Sequence, residues 1–175
     1  MNPEDVLMFG DECSVRQAPT CMKMWAPKGK TPVVKSPGGR ARQQIIGALR
    51  PATGEVLSAF AKNLKAPVFI KFLKHIICHY HAAGKIILVV DNAKAHHAKI
   101  VQRFLDAVSH KLKVLFLPPY SPELNPIEQF WKYMRYKITH NRYYEHFTDL
   151  TSELRGFLVQ SKCPSLEVQS RCPRP

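Results

Sequence analysis

The sequence predicts an α/β fold in which a mixed central sheet is flanked by helices. The segment Ile86–Val90 is entirely apolar, which is typical of a strand buried on both faces. Helical patterns stand on both sides of it: an apolar stripe begins at Pro67, and another covers residues 100–108. Strands alternating with helices in this way indicate a sheet that is covered by helices.

The other elements follow from local patterns. The 31-residue basic stretch between the first two strands is predicted to be a hairpin or loop, because Pro, Gly, Lys and Arg dominate it. Asn125 and Pro126 are predicted to be the cap and first residue of a third helix. Strands are predicted at residues 6–10, 44–49, 55–60 and 114–117, a turn at 51–54, and the basic stretch at 12–42.

One domain is predicted over residues 1–160. The stretch 161–175 has no hydrophobic periodicity and contains three prolines, so it is predicted to be a disordered tail.

The charge balance indicates a polyanionic partner. Lys and Arg number 26 against 13 acids, a formal net charge of +13 and a pI near 9.7. A basic surface attracts nucleic acid and releases its counterions, although a ribosomal-type or merely soluble basic protein is the alternative. Five cysteines without a C-x-x-C pair argue against a disulfide framework or a zinc ribbon. Without a signal peptide or a long apolar run, the sequence predicts a cytoplasmic, nucleoid-associated protein with no membrane partner.

Three acidic residues stand where a metal site can form. Asp11 and Asp91 each follow an apolar strand, and Glu128 lies in the first turn of the third predicted helix. Ligands gather at the carboxyl ends of strands in such folds. Clustered carboxylates suit Mg²⁺ or Mn²⁺, and two such ions can support an in-line phosphoryl transfer. The alternatives are a turn residue for Asp11, a helix cap for Asp91, and a capping box with Asn125 for Glu128.

Four segments resemble one known family. They are GDE at residues 10–12, WAPKG at 25–29, VVDNAKAHHA at 89–98 and LPPYSPELNPIEQFWKYMR at 117–135. Together they are similar to the insertion-sequence transposases of the mariner-like DDE superfamily, the IS six-thirty group, over residues 5–158. The distance in sequence between Asp91 and Glu128 also resembles that of the family.

The resemblance implies a ribonuclease-H-like fold and a catalytic triad of Asp11, Asp91 and Glu128 that binds two Mg²⁺ or Mn²⁺ ions. It implies hydrolysis at the transposon ends, followed by attack of a 3′-hydroxyl on target DNA, typically at TA. Full-length relatives carry helix-turn-helix regions before this domain, and none is recognisable here. The implied partners are therefore DNA, a separately encoded N-terminal DNA-binding half and a second copy in a homodimer. The alternative is a catalytically silent, DNA-binding remnant.

Several basic and polar residues are candidates for DNA contacts. Those in the basic stretch can hold phosphates, those after Asp91 can orient a phosphate, and those one and two turns after Glu128 share its side of the helix. For Trp25 and Trp131, core packing is favoured over base stacking. The candidates are Lys28, Lys30, Arg40, Arg42, Asn92, His96, Lys132 and Arg135.

Overall fold

A five-stranded mixed sheet forms the centre of the computed structural model, which describes residues 4–36, 40–118 and 121–172, without the side chain of Pro122. Its strands are β1 Val6–Arg16, β2 Arg42–Arg50, β3 Glu55–Ala61, β4 Ile86–Val90 and β5 Leu112–Phe116. Their order in the sheet is β3-β2-β1-β4-β5. The pairs β1–β2 and β2–β3 are antiparallel, and β1–β4 and β4–β5 are parallel. The predicted mixed sheet is confirmed, and β1, which contains Asp11, is the neighbour of β4, which leads to Asp91.

Helices cover both faces of the sheet. Alternate residues of each strand point to opposite faces, so in β2 Ile46 and Ala48 join one core and Ile45 and Leu49 the other. The helices are α1 Ala66–His79, α2 Lys99–Ala107, α3 Ile127–Ile138, α4 Phe147–Gln160 and α5 Leu166–Arg171, with 3₁₀ turns at Lys94–His97 and Pro122–Leu124. The first core lies under α1 and α2, and the second under α3, α4 and α5. No described helix has the length and apolar composition needed to cross a membrane.

Strand β1 is longer than predicted. The sequence suggested an end at Asp11, but β1 continues to Arg16 by pairing with β2 after its parallel partner β4 has ended. Cys13 and Val15 are buried while Ser14 and Arg16 are exposed, so this half of the strand is apolar on one face only. Asp11 therefore lies within a strand and not in a turn.

The predicted disordered tail is wrong for residues 161–172, while 173–175 lie outside the described residues. Helix α5 is capped by Ser165, whose side chain accepts a hydrogen bond from the Val168 N–H. Val168 and Cys172, four residues apart, are buried against the core below α3. Six helical residues are too few for a visible periodicity, which explains why the sequence pattern did not reveal this helix.

Candidate active site

Asp11 and Asp91 lie side by side at the carboxyl end of β4. The last parallel pair between β1 and β4 is Phe9 with Val89, and each aspartate follows two residues later. Asp91 directly follows β4, whereas Asp11 remains paired with Gly47 of β2. Two neighbouring strands thus bring both carboxyl groups to one edge of the sheet, as the sequence predicts.

Glu128 approaches the same edge from α3. Burial, together with the negative charges of Glu128, Glu12 and Asp91 in that order, raises the pKa of the Asp11 carboxyl to about 7, although a hydrogen bond from the Glu12 N–H lowers it. Glu128 is therefore the acid with the strongest electrostatic effect on Asp11. In a chain of net charge +13, these carboxylates form a local excess of negative charge.

The capping alternative for Glu128 is not supported by the geometry. Helix α3 has Pro126 at its N-cap and no side-chain capping hydrogen bond. Asn125, predicted to be the cap, is instead buried, and its Nδ2 donates to the carbonyl oxygen of Gly10 at 3.1 Å. The prediction that Asn125 is the cap and Pro126 the first helical residue is thus wrong by one residue, since Pro126 is the N-cap and Ile127 begins the helix. The Asn125 side chain bonds to β1 and not to α3.

His96 is a buried support for Asp91. Its ring is 2% exposed and lies 4.1 Å from the ring of Phe69. Nδ1 lies 3.2 Å from the Asp91 carbonyl oxygen and 3.3 Å from Asp91 Oδ1, and Nε2 lies 3.2 Å from Glu12 Oε1. Both ring nitrogens face acceptors, so both hydrogen bonds form only when the ring carries two protons. Burial lowers the pKa of His96, but the bonds and charges of Glu12 and Asp91 outweigh it, and the net shift is upward.

The burial of His96 and the position at which α2 begins each correct one prediction. A direct DNA contact is incompatible with a His96 ring that is 2% exposed. The capping alternative for Asp91 is also wrong, because α2 begins at Lys99 after an N-cap at Ala98. Asp91 instead accepts a hydrogen bond from the Ala93 N–H at 3.2 Å.

A second set of possible metal ligands overlaps the first. Among the described residues, the donor atoms of Glu12, Asp91 and His96 all lie within 4.8 Å of one another, and Asp11 and Glu128 are outside this tighter group. Glu12 was missed in the sequence, although it is the last letter of the GDE segment. As a neighbour of Asp11 in a strand, it points to the opposite face of the sheet.

The basic candidates are spread over two regions. Lys28 and Lys30 are exposed in the connection between β1 and β2 (residues 17–41), and Arg40 and Arg42 are exposed where this connection enters β2. Trp25 in the same connection is fully exposed, so its predicted core packing is wrong. Residues 37–39 lie outside the described part of the connection.

The remaining candidates follow Asp91 in the chain or lie on α3. Asn92 is exposed and its Oδ1 contacts His97 Nε2. Lys132 is exposed on α3 and lines a cleft of about 320 Å³. Arg135 is half-buried, and its Nη2 donates to Cys13 Sγ at 3.0 Å.

Trp131 is 1% exposed, which confirms its predicted place in the core. The sequence did not reveal its polar contact: the indole N–H donates to Asp11 Oδ2 at 3.0 Å. Only the pairing of β1 with β2 and the packing of α3 bring these two residues together.

Comparison with protein-family models matches residues 6–151 to the family described as DDE superfamily endonuclease. A Shigella sonnei protein described as "Insertion element IS630 uncharacterized 39 kDa protein" is 28% identical over 155 residues, which cover 89% of this chain and 45% of that protein. An uncharacterized protein of Sinorhizobium fredii is 27% identical over 108 residues, 62% of this chain and 76% of that protein. The chain thus spans less than half the length of the Shigella relative.

Among solved structures, a Mos1 transposase paired-end complex with the left transposon end matches with a TM-score of 0.71 and 17% identity, covering 94% of this chain and 50% of that one. The catalytic domain of Mos1 mariner transposase matches with a TM-score of 0.61 and 14% identity, covering 97% and 79%. At this identity the likeness concerns the fold, and the predicted ribonuclease-H-like fold is confirmed.

Proposed function

Because the chain belongs to the DDE superfamily of endonucleases, we propose that it is a transposase catalytic domain that cuts and joins DNA strands with the help of divalent metal ions. The observation that carries the proposal is that Asp11 of β1 lies beside Asp91, which follows β4, and that the negative charge of Glu128 on α3 acts on the Asp11 carboxyl. Asp11, Asp91 and Glu128 are the proposed metal ligands and catalytic residues. The separation between Asp91 and Glu128 in the sequence resembles that of the family. The common location of the three acids allows them to hold metal ions beside one phosphodiester group.

The donor set fits two Mg²⁺ or Mn²⁺ ions. Hard carboxylate oxygens are the ligands that these ions prefer. Burial and the neighbouring negative charges raise the pKa of the Asp11 carboxyl, and a cation beside it would favour its charged form. Mos1 complexes have been solved with Mn and with Mg. When bound, such ions neutralise charge on the phosphate and assist the attacking and leaving oxygens.

The overlapping set of Glu12, Asp91 and His96 is a weaker candidate for the metal ligands. His96 already bonds through both nitrogens, to Glu12 and to Asp91, and its ring is out of contact with solvent. We assign Glu12 and His96 to the support of Asp91, which is itself half exposed and accessible to a ligand. Metal-binding carboxylates commonly depend on such hydrogen-bonded neighbours.

The substrate is proposed to be transposon-end DNA and then target DNA, with TA at the target. Exposed basic groups bind the phosphate backbone, which fixes position but carries no sequence information. Recognition of the transposon ends is therefore assigned to a separately encoded DNA-binding part. The proposed assembly is a homodimer, and it acts on nucleoid DNA. The proposed phosphate contacts are Lys28, Lys30, Arg40, Arg42, Asn92, Lys132 and Arg135.

A catalytically silent remnant that still binds DNA is the second candidate. It is favoured by one observation: among the described residues, the ligand atoms that lie within 4.8 Å of one another belong to Glu12, Asp91 and His96, and not to Asp11 and Glu128. Both candidates share the fold and the basic surface, and they differ in metal-dependent cleavage.

The test is nicking of supercoiled DNA in Mn²⁺ or Mg²⁺ by the parent chain and by Glu128→Gln. Glu123→Gln is the matched control, since Glu123 is exposed and lies five residues earlier in the same segment. We expect nicking by the parent and the control, and a loss of roughly 10²-fold or more in Glu128→Gln, typical of removing one transition-state stabiliser. DNA binding without nicking by the parent supports the silent remnant. Equal nicking by Glu128→Gln contradicts the assigned triad.

A further inference from the structure

The indole of Trp131 connects the second core to the candidate active site. Its ring is buried among the apolar residues below α3, whereas its N–H reaches the edge of the sheet and donates to Asp11 Oδ2 at 3.0 Å. An indole nitrogen can only donate, so it bonds one oxygen of a carboxylate and fixes the plane of the group.

Gly47 makes this contact possible. It is the partner of Asp11 across β1 and β2. A Cβ atom on Gly47 would lie 2.6 Å from Cη2 and 2.9 Å from Cζ2 of Trp131, so any side chain there would displace the indole. The backbone of Gly47 is ordinary strand, and the need for glycine therefore comes from this close approach alone.

Asn125 provides a second attachment of α3 to β1. Its Nδ2 donates to the carbonyl oxygen of Gly10, next to Asp11 in the chain. Within α3, Glu128 lies three residues before Trp131, and residues at this spacing occupy one side of a helix. Asn125, which precedes the N-cap Pro126, and Trp131 thus bond to β1 on either side of Glu128 in the chain.

We propose that Trp131, seated in the recess at Gly47, is a positioning residue that orients the Asp11 carboxylate for metal binding and fixes its distance from Glu128. The inference rests on the proposed function, because it concerns the same metal site. Hydrogen-bonding partners of metal ligands typically contribute about 10- to 100-fold in metal affinity. Trp131 therefore has a role in the site besides filling the core.

Two substitutions separate the role in the site from the role in the core. Trp131→Phe removes the N–H and also Cη2 and Cζ2, the atoms nearest to Gly47. Gly47→Ala pushes against the indole of the parent, but its methyl group fits into the space left by Trp131→Phe. The double variant therefore restores packing without restoring the hydrogen-bond donor. Trp25→Phe is the matched control, because Trp25 is fully exposed.

The experiment measures the Mn²⁺ dissociation constant by calorimetry, and the urea midpoint of unfolding, for the parent and all four variants. We expect Trp131→Phe to weaken Mn²⁺ binding about 10-fold or more, and Trp25→Phe to change nothing. The double variant should unfold at higher urea than either single variant, since contacting sites are not additive. Its Mn²⁺ affinity should stay as low as that of Trp131→Phe.

Recovery of Mn²⁺ affinity together with stability in the double variant overturns the inference, because Trp131 then acts through packing alone. Unchanged affinity in Trp131→Phe also overturns it, and the proposed function stands if Asp11→Asn abolishes binding. A parent chain that binds no Mn²⁺ contradicts the proposed function and the positioning role together.

Discussion

Helix α3 and the β1–β2 connection (residues 17–41) both carry basic residues predicted to bind DNA, yet they differ in how they are held. Helix α3 buries Ile127, Phe130, Trp131, Met134 and Ile138. In the connection, every residue from 20 to 33 is exposed. The two tryptophans show the same contrast, with Trp131 at 1% and Trp25 at 101% exposure.

The packed helix α3 and the exposed β1–β2 connection are suited to different parts of one function. A carboxylate that shares a metal ion must be held within a fraction of an ångström, which a packed helix achieves and an exposed loop does not. A phosphate contact tolerates motion, because it acts through charge over several ångströms. Changes in the packed region should therefore affect chemistry, and changes in the exposed region should affect affinity for DNA.

The largest effect is expected for Asp91→Asn, which removes one charge from the candidate site and keeps the side-chain size. Nicking of supercoiled DNA in Mn²⁺ should fall by about 10² to 10³-fold. DNA binding in a gel-shift assay should remain, because the basic surface is unchanged. Asp106→Asn, an exposed aspartate on α2, is the control. Loss of DNA binding in parallel with nicking would show that the two regions are not separate.

A smaller but still large effect is expected for His96→Ala. The substitution removes the hydrogen-bonding partner of the Glu12 carboxylate and the contacts of the His96 ring with Asp91. The free energy of unfolding should therefore fall by roughly 1–3 kcal/mol. Mn²⁺ affinity should fall about 10-fold or more through the loss of a supporting hydrogen bond. His97→Ala is the matched control, since His97 is the exposed neighbour. Calorimetry and urea unfolding measure both quantities, and equal effects in the two variants would refute the supporting role.

Substitutions in the exposed β1–β2 connection should change DNA binding and leave cleavage unchanged. The double substitution Lys28→Gln and Lys30→Gln should weaken DNA binding and reduce the salt slope of log K by about 2, roughly one for each lost phosphate contact. Nicking at saturating DNA should not change. Lys71→Gln with Lys85→Gln removes the same charge from other exposed positions. A salt slope that changes equally in both double variants would mean that only net charge matters.

The smallest effect concerns thiol reactivity. Burial raises the pKa of Cys13 and of Cys172 to about 11. Since the thiolate is the reactive form, both should react with a thiol reagent at pH 8 more than about 10-fold slower than the exposed cysteines. All five should react rapidly in denaturant. Fast labelling of Cys172 in the native protein would contradict the packing of α5. The exposed cysteines are Cys21, Cys78 and Cys163.

The contrast between packed elements and the exposed connection also explains which features could be predicted from the sequence. Strand β4 was predicted to the residue, because a short, fully apolar run between two helical patterns is typical of a strand buried on both faces. Asp11, Asp91 and Glu128 were selected because strand ends and a specific segment mark them. Trp25, with apolar character but no partner in the described residues, shows that residue type alone does not predict burial.

The missed parts of the site depend on contacts between distant segments. The Trp131 bond to Asp11, the Asn125 bond to Gly10 and the His96 bond to Glu12 each join residues more than 80 positions apart. Local capping rules favoured Asn125 as a helix cap, and tertiary packing overrode them. Helix α5 was missed because two buried side chains in a short segment leave no periodic pattern.

We propose that Glu128, and not Glu12, completes the metal site with Asp11 and Asp91. The direct measurement is the Mn²⁺ dissociation constant and stoichiometry by calorimetry for the parent, Glu128→Gln and Glu12→Gln, with Glu123→Gln as control. We expect two bound ions in the parent and the loss of at least one in Glu128→Gln. Glu12→Gln should keep both ions with weaker affinity. Full stoichiometry and parental affinity in Glu128→Gln, with loss of the ions in Glu12→Gln, would contradict the account and assign the metal to Glu12, Asp91 and His96.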